Sequence, residues 1–213
     1  MEDVFVAIYT NEVKRYCDEL FFNNIKKIVP SSATLFIVDN SLTDSYLERI
    51  KELMSGWDGD CKFKHVYLPH DESYRFQKSV LKSLKVLEHD FLESECKYFL
   101  IIETDVIPSK EDFEILIEDI RRHSDFGAIG GLYYNGIHNR IVGRDLVEED
   151  CVFSGFTVYK REVIEKIGFR WDEAVSGCFP DSFMKHDLLV NGYKVGNDHR
   201  ISCMHLKKTI NDR

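Results

Sequence analysis

The sequence predicts an α/β protein that forms a single domain, with a mixed, mainly parallel sheet and helices on both of its faces. Apolar, strand-like runs alternate with amphipathic, helix-like segments through the first half of the chain, an order typical of parallel strands joined by helices. The strand-like runs are continuously apolar, as in strands that are buried on both faces. The four prolines, at positions 30, 69, 108 and 180, fall between these segments or at the end of one, where they interrupt no strand or helix.

Four strands and four helices are predicted in the first half. The strands cover four apolar runs, 3–10, 33–40, 63–69 and 97–105. The helices lie in four segments where apolar residues recur at helical spacing, 12–28, 44–54, 74–92 and 109–122. At the start of the last of these helices, Ser109 and Asp112 have the spacing of a capping box.

The second half has a less regular pattern. Its predicted elements are strands over 126–134, 152–159 and 201–208, and helices over 160–168 and about 181–191. Asn191-Gly192 would end the last helix, because glycine favours the left-handed conformation that closes many helices. The polar, glycine-bearing segment 133–150 predicts a hairpin or a mobile loop.

Composition and charge limit the classes of function. The formal net charge of −9 argues against a general nucleic-acid-binding surface, and an anionic ligand would need local cations or a metal. The six cysteines are scattered without a CxxC pair, which indicates reduced thiols rather than a disulfide framework or a zinc site. The acidic N-terminus does not resemble a secretory signal, and no apolar run reaches the roughly 18 residues of a membrane span. We therefore expect a cytoplasmic protein without a transmembrane segment.

The run KYFLIIETDVIPS, residues 97–109, places two carboxylates at the end of a strongly apolar strand. In parallel α/β sheets, ligands bind beyond the carboxyl ends of the strands. Glu103 and Asp105 lie at such an end, and the two-residue period of a strand would direct them to the same side. Converging carboxylates suit a hard cation such as magnesium or manganese. The alternative is that one of them caps the following helix and both are solvated.

A second strand end carries a further acid. In FIVDNSLTDSYLERI, residues 36–50, Asp39 follows the apolar run directly, and Thr43 and Asp44 stand at the start of the next helix. Thr43 or Asp44 suits a helix N-cap. Asp39 belongs instead to the exit of a buried strand, where a polar group of a ligand could meet it.

In their order along the chain, these motifs resemble those of family 2-type glycosyltransferases with the GT-A fold, which is Rossmann-like. The resemblance covers nearly the whole chain and rests, in order, on Tyr9-Thr10-Asn11-Glu12, residues 38–44, Glu103-Thr104-Asp105, Ser154-Gly155, Lys160-Arg161, Ile167-Gly168-Phe169, Pro180-Asp181, Gly192-Tyr193 and Met204-His205. The chain departs from the family pattern where Asn40-Ser41 replaces Asp-Gly, Glu103 replaces the first aspartate, and Pro180 replaces an acid.

The resemblance implies a metal-dependent enzyme that moves a sugar from a nucleotide-sugar, in particular a UDP-sugar, to an acceptor hydroxyl with inversion. Residues 1–105 would form the half that binds the nucleotide-sugar, and residues 106–213 the half that binds the acceptor. The acceptor stays open between a saccharide, a lipid carrier, a protein and a modified nucleic-acid base.

The resemblance also assigns donor contacts. They are Thr10, Glu12 and Asp39 for the base, Glu103 for the ribose or a metal-bound water, and Ser154 and Gly155 beside the sugar. Arg75 and Lys78 are candidate phosphate contacts, although an exposed helix face explains them equally well.

The implied metal ligands are Asp105, Glu103 and His205, which would hold Mn²⁺ or Mg²⁺ beside the diphosphate. For His205, the alternative is a structural role at the end of the last strand. Asp181 is the implied catalytic base, because sugar transfer requires removal of the proton from the acceptor hydroxyl. Its alternative is a helix N-cap.

Three other classes of protein fit the sequence less well. A sugar nucleotidyltransferase would carry a glycine-rich phosphate loop after the first strand, and IYTNEVKRY has no glycine. A dinucleotide-dependent oxidoreductase would carry GxGxxG after a strand, and no strand is followed by it. A catalytically degenerate module that only binds nucleotide-sugars or glycans is disfavoured by the acids at positions 39, 103, 105 and 181.

Overall fold

The structure is a computed structural model that describes residues 1–67, 76–134, 145–149, 155–172 and 179–207. The strands are β1 (Val4–Thr10), β2 (Thr34–Asp39), β3 (Cys61–His65), β4 (Tyr98–Ile102), β5 (Val106–Ile107), β6 (Phe126–Tyr134), β7 (Leu146–Glu148), β8 (Phe156–Lys160) and β9 (Lys194–His205). The helices are a 3₁₀ helix (Glu12–Cys17), α1 (Asp18–Ile28), α2 (Ser45–Met54), α3 (Phe76–Leu92), α4 (Lys110–Arg122), α5 (Arg161–Lys166) and α6 (Pro180–Val190).

The described strands form one sheet in the order β3-β2-β1-β4-β8-β6-β9-β5, and β7 pairs with β9 beside this path. The first four strands of this order are mutually parallel. β8 runs antiparallel to both of its neighbours, and β6 and β9 are parallel to each other. The α/β class with a mixed sheet, predicted from the alternation of apolar runs and amphipathic segments, is confirmed.

Two hydrophobic cores lie on opposite faces of this sheet. Alternate residues of β1 divide between them, because successive side chains of a strand point to opposite faces. Val4, Val6 and Ile8 belong to the core that contains the apolar faces of α1, α2 and α4. Phe5 and Ala7 belong to the core that contains those of α3, α5 and α6. The continuously apolar strands therefore bury both of their faces, and helices cover both sides of the sheet as predicted.

The predicted helix over 12–28 is divided into the 3₁₀ helix and α1. The side chain of Asn11 caps the 3₁₀ helix by accepting a 3.0 Å hydrogen bond from the backbone N–H of Val13. Cys17 is the N-cap residue of α1, and its side chain makes no capping hydrogen bond. At the other predicted cap, Ser109 and Asp112 exchange both hydrogen bonds of the capping box.

The final strand begins at Lys194, seven residues before the predicted run over 201–208. Sequence patterns missed its first half because that half is polar, yet Asn197 and Asp198 are fully buried. Asn197 donates a 2.6 Å hydrogen bond to Glu149, and Asp198 accepts hydrogen bonds from Arg200. These partners satisfy the buried polar groups and allow a polar strand in the interior.

Other boundaries differ by a few residues. β3 (Cys61–His65) begins two residues before the predicted run over 63–69 and ends within it. The predicted loop over 133–150 lies largely outside the described residues, which include β7 from its second half. None of the helices in the described part of the chain combines the length and the apolarity that a bilayer span requires. The four described cysteines are free thiols: Cys17, Cys61, Cys96 and Cys203.

Candidate active site

The parallel strands β1, β2 and β4 end at one edge of the sheet, and two adjoining clefts open there. The acidic cleft, of about 360 Å³, has Glu103, Asp105 and Asp181 in its wall. The loop cleft, of about 490 Å³, is walled by Thr10 at the end of β1, by the segment that follows β1, including Glu12, and by the turn that follows β2. The two clefts share four wall residues: Tyr9, Lys14, Phe76 and Val80.

Lys14 lies between the two carboxylates that follow β4. Its Nζ is 2.9 Å from Oδ1 of Asp105 and 3.5 Å from Oε2 of Glu103. Burial disfavours the charged ammonium, but the two carboxylates outweigh this effect and raise the pKa of Lys14 above its ordinary value. Lys14 is therefore a partly buried cation that bridges two anions at the junction of the clefts.

Tyr9 fixes the other oxygen of Glu103. Its hydroxyl donates a 2.6 Å hydrogen bond to Oε1 of Glu103. Burial, followed by the negative charge of Glu103, raises the pKa of Tyr9 well above its ordinary value, so the phenol keeps its proton and remains a donor. Both oxygens of Glu103 thus have protein partners.

The backbone of Gly155 helps to position Glu103. Its carbonyl oxygen accepts a 2.8 Å hydrogen bond from the backbone N–H of Glu103. A Cβ at position 155 would lie 2.8 Å from Val106 and 2.9 Å from Tyr133, which is too close for any side chain. Gly155 therefore permits the close packing that positions Glu103 and Tyr133, and it does not itself line either cleft.

Asp181 lies in the first turn of α6, directly after Pro180. The N-cap of α6 is Phe179, and no side-chain hydrogen bond caps the helix, so the N-cap alternative for Asp181 is wrong. Oδ1 of Asp181 is buried and has no hydrogen-bond partner among the described residues. The amino-terminal end of a helix favours a negative charge at this position. Asp181 therefore lines the wall of the acidic cleft with a carboxylate oxygen that no described residue hydrogen-bonds.

His205 lies beside Asp105, the position that the motif resemblance implies for it. Nε2 of His205 is 3.7 Å from Oδ2 of Asp105. The proximity follows from the sheet, where β5 pairs with β9 and Val106 is opposite His205. The imidazole also packs edge-on against the ring of Tyr133, with 5.1 Å between the ring centroids.

The donor atoms of Glu103, Asp105 and His205 suit a divalent cation, since they comprise two carboxylates and an imidazole. Their present arrangement is different from a metal site, because the ammonium of Lys14 stands between the carboxylates. Within the described ranges, no three His, Cys, Asp or Glu side chains are grouped so that they could hold a metal ion. A cation could enter between Glu103 and Asp105 only if Lys14 moved away.

The loop cleft contains two of the predicted base contacts, Thr10 and Glu12, but not Asp39. Asp39 is fully buried beneath the turn. Its Oδ1 accepts hydrogen bonds from the backbone N–H and the hydroxyl of Ser41, at 2.9 and 2.6 Å, and its Oδ2 is 3.0 Å from Nδ1 of His65. In this structure Asp39 shapes the turn, and its carboxylate is not part of the wall of the loop cleft.

Asn40 takes the position in the wall that was predicted for Asp39. Its side chain accepts a 2.9 Å hydrogen bond from Asn11 and donates a 3.0 Å hydrogen bond to Ser83. The loop after β1 is fixed further by the backbone N–H of Glu12, which donates to the hydroxyl of Ser41 at 2.8 Å. The two loops that wall the cleft are therefore held together before any ligand binds.

Sequence reasoning missed Lys14 and Tyr9. The useful signal was charge: an acidic chain whose carboxylates converge needs a local cation, and Lys14 belongs to the loop after β1. Among the remaining candidates, Lys78 lies in α3 and lines neither cleft. Arg75 and Ser154 lie outside the described residues.

Solved glycosyltransferases have a similar fold. The mannosyltransferase PcManGT from Pyrobaculum calidifontis, in complex with GDP-Man and Mn²⁺, is 17% identical with a TM-score of 0.72, and the match covers 98% of this chain and 58% of that chain. S. aureus TarS 1-349 in complex with UDP-GlcNAc is 14% identical with a TM-score of 0.68, and the match covers 97% of this chain and 60% of that one. The chain thus spans less than two thirds of the length of these structures. No family model and no curated protein matches the sequence.

Proposed function

We propose that this chain is a glycosyltransferase that moves a sugar from a nucleotide-sugar to an acceptor hydroxyl. The observation that carries the proposal is the carboxylate of Asp181, whose buried Oδ1 has no partner among the described residues and which lies in the wall of the acidic cleft. A carboxylate in this position can accept a proton from a bound hydroxyl. The fold shared with solved glycosyltransferases supports the same activity.

The two clefts suit the two ends of one donor. The nucleoside would lie in the loop cleft, against Thr10, Glu12 and Asn40, and the sugar in the acidic cleft near Asp181. The diphosphate between them would pass Lys14, which belongs to both walls. Asp39 would act on the base indirectly by holding the turn, and Gly155 would act on the sugar site by positioning Glu103 and Tyr133.

The chemistry assigned to Asp181 is general base catalysis. Asp181 accepts the proton of the acceptor hydroxyl while the hydroxyl oxygen bonds to the anomeric carbon of the sugar. The bond between this carbon and the diphosphate oxygen breaks, and the nucleoside diphosphate leaves with the electron pair. Attack from the side opposite the leaving group inverts the anomeric centre.

Glu103, Asp105 and His205 would hold a divalent metal, which when bound supplies positive charge to the departing diphosphate. Manganese accepts both carboxylate and imidazole ligands. A UDP-sugar is the donor that we propose, following the motif resemblance, and TarS, with a similar fold, was solved with UDP-GlcNAc. The division into a donor half over 1–105 and an acceptor half over 106–213, and a cytoplasmic location, belong to the same proposal.

A donor hydrolysis screen tests this function. The protein is incubated with UDP-glucose, UDP-galactose, UDP-GlcNAc and GDP-mannose in the presence of Mn²⁺, and release of the nucleoside diphosphate is measured. We expect one donor to be hydrolysed, with Asp181→Asn slower by about 10²–10⁴-fold, the usual contribution of a general base. Asp187→Asn is the matched control, because Asp187 lies on the same helix and forms a surface ion pair with Arg170.

Two results would contradict the proposal. If none of the donors is bound or hydrolysed, the proposal of a glycosyltransferase activity is contradicted. Tight binding of a donor with no turnover in the wild type, and no difference for Asp181→Asn, would instead support a module that only binds nucleotide-sugars.

A further inference from the structure

We infer that Lys14 competes with the divalent metal for Glu103 and Asp105, and that it becomes a ligand of the diphosphate when metal and donor enter. The inference rests on the proposed function for its second half, the exchange onto a diphosphate. Its first half, the competition with a metal, depends only on the contacts of Lys14 in the donor-free protein.

The position of Lys14 is fixed by its backbone. It lies in the 3₁₀ helix that Asn11 caps, and its N–H donates a 2.8 Å hydrogen bond to the carbonyl oxygen of Asn11. Its own carbonyl oxygen is 2.8 Å from the thiol sulfur of Cys17. The ammonium therefore reaches Glu103 and Asp105 from a rigid base, and only the flexible four-carbon side chain must move for it to change partners.

The electrostatics of the acidic cleft make such a change of partners favourable. Glu103, Asp105 and Asp181 bring three carboxylates into one cleft, and the Lys14 side chain is 19% exposed between two of them. A diphosphate would add further negative charge to this cleft. Lys14 is the one lysine or arginine among the described residues of the cleft wall, and its single charge does not offset that of a diphosphate. A divalent metal on Glu103 and Asp105 together with a released ammonium would place three positive charges beside the diphosphate.

A metal that binds without the donor has a less favourable free energy of binding. It must displace an ammonium that sits at hydrogen-bond distance from Asp105, and the displaced Lys14 then loses both of the carboxylates with which it pairs in the donor-free protein. When a diphosphate is present, the ammonium moves onto a phosphate oxygen beside the shared wall of the clefts. Metal and donor therefore bind with positive cooperativity, since each makes the binding of the other more favourable.

Mn²⁺ affinity in the absence of nucleotide provides the test, measured by titration calorimetry or by electron paramagnetic resonance of free Mn²⁺. Lys14→Met removes the competing charge and keeps most of the side-chain volume. We expect it to bind Mn²⁺ on the order of 10-fold more tightly than the wild type, the lower end of the usual effect of a change beside metal ligands. In saturating Mn²⁺, we expect the same variant to bind UDP or GDP at least about 10-fold more weakly.

Two variants serve as controls. Lys14→Arg keeps the positive charge and should keep Mn²⁺ binding as weak as in the wild type. Lys62→Met removes an exposed lysine of β3 that pairs with Asp90 at 2.9 Å and lines neither cleft, and it should change neither affinity. If Lys14→Met fails to fold, Lys14→Gln provides the same comparison.

An unchanged or weaker Mn²⁺ affinity in Lys14→Met would overturn the inference, since it would show that Lys14 does not compete with the metal. If Mn²⁺ binds more tightly to the variant but neither protein binds UDP or GDP, the exchange onto a diphosphate is overturned together with the proposed function. If the wild type binds UDP or GDP and Lys14→Met binds it equally well, only the diphosphate role of Lys14 is overturned.

Discussion

The hydroxyl of Tyr9, near the end of β1, donates a 2.6 Å hydrogen bond to Oε1 of Glu103 directly after β4. The contact joins two neighbouring parallel strands at their carboxyl ends and orients a carboxylate into the acidic cleft. We expect Tyr9→Phe to lower the free energy of unfolding by about 1.5–3 kcal/mol, the usual range for a hydrogen bond to a charged group. Urea denaturation measures this, with Tyr16→Phe as the control because the Tyr16 hydroxyl makes only a long, exposed bond. Equal losses in the two variants would contradict the role of the Tyr9 contact.

Replacement of His205 tests the assignment of a third metal ligand. We expect His205→Ala to weaken Mn²⁺ binding in the presence of UDP by about 10–100-fold, since His205 lies 3.7 Å from Asp105 and carries the only nitrogen of the proposed ligand set. His199→Ala is the matched control, because His199 also belongs to β9 but pairs with Glu149 instead. An affinity equal to that of the wild type would remove His205 from the site and leave Glu103 and Asp105.

Arg161 is predicted to stabilise the fold without taking part in the reaction. Its guanidinium donates hydrogen bonds to carbonyl oxygens at the end of α3 and in the turn that follows it, of which the shortest are those to Leu92 at 2.7 Å and Ser94 at 2.8 Å. The last carbonyls of a helix have no partner within the helix. We expect Arg161→Met to lower the free energy of unfolding by about 2–4 kcal/mol, because several charge-assisted bonds are lost together.

Arg122→Met is the control for this measurement, because Arg122 forms an exposed ion pair with Glu118 along α4. Exposed pairs of this kind contribute about 0.5 kcal/mol or less. A similar small loss for Arg161→Met in guanidinium denaturation would show that the carbonyls at the end of α3 do not depend on Arg161.

Asp119 should make stability depend on pH. It is buried on α4, and Arg200 donates a 2.6 Å hydrogen bond to it. Burial, followed by a hydrogen bond shared with Asp198, raises the pKa of Asp119 to about 7. Because the folded state holds this proton more tightly, the stabilising contribution is fully present below about pH 4 and is lost as the pH rises through about 7.

Asp119→Asn removes this titration. We therefore expect the variant to gain stability relative to the wild type between about pH 4 and pH 7, by up to ~1.4 kcal/mol per pH unit. Denaturation of both proteins at a series of pH values measures the difference. A difference that is constant across this range would show that Asp119 is ionised throughout.

Several parts of the site followed from the sequence because they depend on local patterns. Apolar runs that end in polar residues placed Thr10, Glu103 and Asp105 at strand ends, and parallel pairing brings such ends to one edge of the sheet. The resemblance added His205, which the β5–β9 pairing places beside Asp105. The sequence predicted Asp181 at the start of a helix. The structure begins this helix at Pro180 with Phe179 as the N-cap, so Asp181 lies inside the first turn and is not the cap.

Other parts depend on long-range packing that no local pattern encodes. Asn40 lines the loop cleft in place of Asp39 because the Asp39 carboxylate is hydrogen-bonded in the interior, by Ser41 and beside His65. The position of Lys14 depends on how the 3₁₀ helix leaves β1. Arg161 belongs to a motif of the resemblance, but its hydrogen bond to the carbonyl oxygen of Leu92 at the end of α3 depends on how α3 packs near α5.

A crystal structure of the protein with UDP and Mn²⁺ tests the central claim most directly, because the claim assigns each part of the donor to a place in the two adjoining clefts. We predict electron density for the base in the loop cleft against Thr10 and Asn40, and for the diphosphate at the shared wall within hydrogen-bond distance of Lys14. The metal should lie between Glu103 and Asp105, with Lys14 moved off these carboxylates. Density for UDP outside the two clefts, or with its base beside Asp181 and its diphosphate away from Lys14, would contradict the account.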